Sequence, residues 1–243
     1  MRLTVLFLLI SIMLRGQRDS CISAPLVCIH FAGQTPSGDM VKRFGNNMLV
    51  GASFKYKTNK NFVYGIEFNY LYGKTVKEDV TKQLKSPEGN VIDNAGNPAD
   101  LRITERGAHL NLQFGKLFAL NKRNRNSGLL ISVGAGVLQH KINLYDAQQR
   151  IAAVKGDLKY GYDRLSFGFA VSEFVGYMFL SKNHLANFYV GFETIQAKTH
   201  SLRKLSYDTG LRDTQQRLDI LSGLKFGWVL PLYKRQPNDY YYN

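Results

Sequence analysis

His200 and Ser201 are adjacent, Asp208 follows in the same polar stretch, and Arg203 and Lys204 lie between them. Serine, histidine and carboxylate are the parts of an activated nucleophile, but they must meet within hydrogen-bond reach. Adjacent residues on an extended chain point to opposite sides, so this set is read as non-catalytic. His140 with Asp146, and His109 with Glu67, are read as satisfied polar pairs rather than acid–base partners. Five dispersed histidines, and cysteines only at Cys21 and Cys28, give no metal-ligand spacing. The reading is a non-enzyme with no cofactor.

Positive charge is the other chemical feature: 32 Lys+Arg against 18 Asp+Glu, a formal charge of +14 over 243 residues. The basic runs Lys122-Arg123-Asn-Arg125, Arg203-Lys204 and Lys234-Arg235 lack interleaved aromatics, so nucleic acid is not expected as a partner. They read first as solvated turn charges.

The elements that position these groups begin after a leader. Met1-Arg2, the apolar run Leu3–Leu14, Arg15-Gly16-Gln17-Arg18 and a second apolar run ending in Ala32-Gly33-Gln34 have the parts of a secretory signal. Residues 1–33 are expected to be removed near Gly33-Gln34, with Met1 or Met13 as the start. The remaining 34–243 form one domain of charge +12 without cysteine, so something other than a disulfide must hold it.

From residue 47 onward the dominant signal has period two. Phe62, Tyr64, Ile66, Phe68, Tyr70 and Tyr72 alternate with Val63, Gly65, Glu67, Asn69 and Leu71. Six further stretches repeat this pattern, at about 48–56, 108–115, 129–137, 165–171, 188–192 and 217–230. Two phase breaks, at Gly107 and at Glu173, are assigned to a β-bulge or to a strand leaving the apolar zone. Short polar connections (58–61, 119–128, 181–184) alternate with long ones (74–100, 143–163, 198–214), which describes a meander. The bulky faces are too voluminous for the inside of a barrel of about eight strands and must point outward, into lipid. That predicts an all-β, closed, antiparallel, up-and-down transmembrane barrel. Its eighth strand either hides in 35–46 or is replaced there by a segment threading the lumen.

On Gly51-Ala-Ser-Phe-Lys-Tyr-Lys-Thr-Asn-Lys-Asn-Phe62, the alternating strands and the final Gly227-Trp-Val-Leu-Pro-Leu-Tyr233, the stretch Asn47–Tyr233 resembles the small outer-membrane barrels of the OmpA/OmpX-like type, in the version found in Bacteroidota. Gln34 after Ala32-Gly33 is similar to the cleavage context common in that phylum. The resemblance implies an outer-membrane location, a plugged lumen and a structural or surface-interaction role. The alternatives are an accessory of the type IX secretion apparatus, a barrel enzyme acting on lipid A (whose His-X-Ser pattern is absent here) and a channel. Lumen groups are expected to be Lys55, Glu67, His109, Glu193, Arg217, Asp219 and Lys225. Interfacial aromatics are expected to be Tyr56, Tyr70, Tyr72, Trp228 and Tyr233. Outer-membrane lipid and lipopolysaccharide phosphates are the expected partners, with a possible envelope protein complex.

Overall fold

In the computed structural model, residues 21–121, 124–181 and 187–232 are described. Eight strands occur among them: β1 (Ala24–Gly38), β2 (Asn47–Lys57), β3 (Phe62–Gly73), β4 (Leu101–Asn121), β5 (Asn124–Asp146), β6 (Ser166–Phe179), β7 (Phe188–Ser201) and β8 (Gln216–Pro231). Each pairs antiparallel with its sequence neighbours, and β1 pairs with β8 to close the ring. Closure leaves no unpaired strand edge, which is the condition for a sheet to sit in lipid.

The pairing is staggered. Followed once round from Pro25 through Tyr56, Tyr64, Phe114, Val133, Glu173, Thr194 and Ser222, it returns to β1 at Thr35, ten residues further on. A stagger of that kind tilts the strands by roughly 35–45° and sets a lumen just wide enough for side chains to fill.

The missing strand is β1, and it lies mostly within the stretch assigned to the leader. Removal at Gly33-Gln34 would delete ten of its 15 residues and open the ring on both sides. Cys28 is therefore a buried lumen residue, and Cys21 also lies among the described residues. The segment 35–46 neither forms a strand of its own nor threads the barrel. It completes β1 and turns through a 3-10 helix at Met40–Lys42 that seats Met40 and Phe44, both fully buried.

Connections 39–46, 74–100, 147–165 and 202–215 lie at one end, and the turn at 58–61 lies at the other, with the β4 and β5 ends at Asn121 and Asn124 and the β6 and β7 ends at Phe179 and Phe188. β5 and β7 run to Asp146 and Ser201, past the expected starts of their following loops at 143 and 198.

Side-chain phase is continuous along every strand, but its polarity is not. Over the turn-proximal part the outer face is apolar and exposed, with Leu112 at 65%, Phe169 at 60% and Leu224 at 69%. Toward the loops the assignment inverts. Ile103, Ile142, Leu144, Ile195 and Ala197 point inward, while Arg102, Thr104, Gln139, Lys141, Gln196 and Lys198 point outward. At Gly107 the ladders to β3 and β5 run unbroken; the register shift of β4 is elsewhere, between Ala119 and Asn121. The phase break at Gly107 is thus the point where the exposed apolar band ends and the barrel becomes polar outside and oily within. Glu173 is different: its ladders are also unbroken, it is exposed on the outer face, and apolar residues flank it on both sides.

Candidate functional site

The lumen is layered. At the turn end, Lys57 donates hydrogen bonds to the Ile22 carbonyl and Asn126 Oδ1, both at 3.0 Å, and Leu26, Leu117, Leu130, Met178 and Val229 pack above it. Next comes a charged layer. Lys225 Nζ donates to Glu67 Oε1 at 2.5 Å and to Glu193 Oε1 at 2.7 Å, and Lys55 Nζ lies 3.4 Å from Glu67 Oε2. Lys55 also sits 5.1 Å from the centre of the Tyr189 ring. Asn69 Nδ2 donates to Glu67 at 2.9 Å and to His109 Nδ1 at 3.1 Å, and Asn69 Oδ1 accepts from His30 Nε2 at 2.6 Å. Glycines make this packing possible: a methyl group at Gly227 would collide with the Tyr189 ring, and one at Gly51 with Asn69 and His30.

Above lies an apolar layer of Leu49, Leu71, Leu138, Ala170, Ile195 and Leu221, and then a second polar set. His140 Nε2 and Thr199 Oγ1 both donate to Asp219 Oδ2, at 2.8 and 2.5 Å, and Phe44 meets the His140 ring edge-on at 5.5 Å. A lid of ion pairs closes the loop end. Glu78 accepts from Arg43 and from Arg164, each at 2.9 Å; Arg164 also reaches Asp208 at 2.5 Å, and Arg203 grips Asp163 with two bonds. The four long connections are thereby tied to one another.

Of the expected lumen residues, Lys55, Glu67, Glu193 and Lys225 meet directly, and His109 joins them through Asn69. Asp219 belongs to the separate upper set. Arg217 joins neither: it stands at the loop-end start of β8, before the strand enters the enclosed part of the barrel, and pairs with Asp213 at 2.7 Å. His140 binds Asp219 rather than Asp146. Asp146 instead accepts from the backbone of Gln148 and Ile151 in its own loop.

His200 points outward, the Ser201 hydroxyl accepts from the Arg203 backbone, and Asp208 pairs with Arg164, so these three do not form a nucleophile set. His30 was hidden by its assignment to the leader. Asn69 was visible on the inward phase of β3 but carried no charge to draw notice. Tyr56 and Trp228 stand on the outer face near the turn end, and Tyr70 and Tyr72 on the same face near the loop end. Tyr233, Lys122, Arg123, Lys234 and Arg235 fall outside the described residues.

No family model and no curated protein matches this sequence. Among solved structures, the chain is similar in fold to the attachment invasion locus protein Ail of Yersinia pestis in complex with the heparin analogue sucrose octasulfate, at 13% identity and a TM-score of 0.43, covering 86% of this chain and 99% of that one. It is similar to Neisserial surface protein A at 9% identity and 0.42, covering 86% and 97%. It is also similar to the outer membrane protein OprG of Pseudomonas aeruginosa at 12% and 0.35, covering 88% and 98%.

Proposed function

We propose that this chain is a non-enzymatic outer-membrane barrel whose lumen is closed to solutes, serving as a structural and interaction component of the cell surface with its tied loop cap facing outward. The observation that supports this most is the charged layer. Lys225, Glu67 and Glu193 are all buried and mutually bonded across the bore, leaving cations and anions no unoccupied charge to step onto. A lumen of eight strands filled to this degree is a core and not a pore.

In planar bilayers the purified protein is expected to give no discrete conductance, whereas steady channel openings at low protein load would overturn the closed-lumen reading. In gels, unheated samples are expected to migrate differently from boiled ones and to fractionate with the outer membrane. A soluble periplasmic protein without that shift would overturn the membrane reading.

A further inference from the structure

On the outer face of β3, β4 and β5, where the lipid belt ends, lies a hollow of about 520 Å³ lined by Tyr70, Arg106, Gly107, Ala108, Gln139, Lys141 and Asn143. It exists because Ala108, opposite both Tyr70 and Gln139, is too small to fill the space between them. Its level follows from the outward residues of β5, which pass from Ile131, Val133, Ala135 and Val137 to Gln139, Lys141 and Asn143.

Arg106 and Lys141 are direct cross-strand partners, both half-buried. Like charges directly opposite one another destabilise a sheet, and among the described residues neither forms an ion pair. Four other buried or half-buried cations at the loop end, Arg43, Arg164, Arg203 and Arg217, each hold a carboxylate. The guanidinium of Arg106 is also fixed in advance: it donates to Tyr70 Oη at 2.9 Å and lies 4.4 Å from the centre of the Tyr72 ring. An oriented, uncompensated pair of cations beside a hollow at the membrane surface is complementary to a phosphate group.

We infer that Arg106 and Lys141, with Tyr70, Gln139 and Asn143 around them, bind the phosphorylated headgroup of an outer-leaflet glycolipid whose acyl chains lie along the belt below. This rests on the membrane reading proposed above. Arg106 clamps the phosphate, Lys141 supplies the second charge, and the amides of Gln139 and Asn143 face the sugar.

The test uses the full chain in detergent micelles, with native mass spectrometry of its complexes with bisphosphorylated lipid A, with the same lipid dephosphorylated, and with inorganic phosphate. The wild type is expected to retain the phosphorylated lipid at least about tenfold more tightly than the dephosphorylated one, as two surface cations imply. Arg106→Gln/Lys141→Gln is expected to erase that preference, and Arg203→Gln to leave it intact. Because Lys141→Gln removes a repulsion, it is expected not to lower the unfolding midpoint in lipid-free detergent, which separates loss of binding from loss of fold.

Equal retention of the two lipids by the wild type overturns the inference, as does a preference that survives in the double variant. Inorganic phosphate competing as well as the lipid would reassign the site to free phosphate. A heat-dependent gel shift on the same samples reports the barrel itself, so a failure of the membrane reading appears there and a failure of the lipid site does not.

Discussion

Lys225 is the shared donor to two buried carboxylates, Glu67 and Glu193. Lys225→Met takes from Glu193 its cation and leaves Glu67 with Lys55 alone, and is expected to cost about 3–5 kcal/mol. This would be read as a lowered urea midpoint of the heat-modifiable band. Adding Glu193→Gln should restore much of that loss, because Glu67 keeps Lys55 as its cation and no uncompensated charge then remains. Glu173 gives the opposite expectation: a carboxylate on the lipid face is unfavourable, so Glu173→Val is expected to raise stability by roughly 1–2 kcal/mol in the same assay. Glu173 is visible in the sequence as a break in a strand's pattern, and Lys225 as a regular member of the polar face of the last strand. What the pattern could not supply was the partner, since Lys225 finds Glu67 from a strand 158 residues away in sequence.

At the scale of elements, the loop cap and the strands depend on different forces. Glu78, Arg43, Arg164 and Asp208 tie loops through charge, while the strands depend on ladders and buried side chains. Arg164→Ala is therefore expected to raise proteolytic cleavage within 74–100 and 202–215 without altering the barrel's gel shift. The cap also responds to acid. Hydrogen bonds from Lys85 to Asp79 and from Lys42 to Asp39 hold both carboxyls below the ordinary aspartate value.

A folded-state value below the unfolded one, about 3.9, means that the stabilisation is present above that pH and is lost as pH falls through the lower folded value. Exposed pairs contribute little, so the expected outcome is modest: faster hydrogen exchange at 39–43 and 79–85 at pH 3 than at pH 5 after correction for intrinsic rates, with the strands unchanged. Strand positions and the meander were legible because alternation depends on local sequence alone. The ends of β5 and β7 were not, because outside the belt the apolar face switches side and the outward stripe used to trace them stops.

For the whole molecule, the position of β1 bears on where the mature chain begins. We propose that any leader ends ahead of residue 21, so that all of β1 is kept in the mature chain. The described contacts of Ile22 with Lys57 and Asn126 support a boundary ahead of residue 21. N-terminal sequencing of the outer-membrane form is expected to begin before Ala24, and a chain starting at Gln34 is expected not to close into a heat-modifiable barrel. A mature protein beginning at Gln34 would contradict this.

By itself the sequence determined the class of fold, the outward direction of the bulky faces and the polar residues of the inward phase, because these follow from a two-residue period and from volume. Tertiary structure alone decided that a run reading as a signal's apolar core is a strand, since only the unpaired edges of β2 and β8 call for it. It decided which inward charges meet, through a ten-residue stagger that no single strand encodes. It also brought Arg106 opposite Lys141, two residues that local spacing could not relate because cross-strand register is a property of the closed sheet.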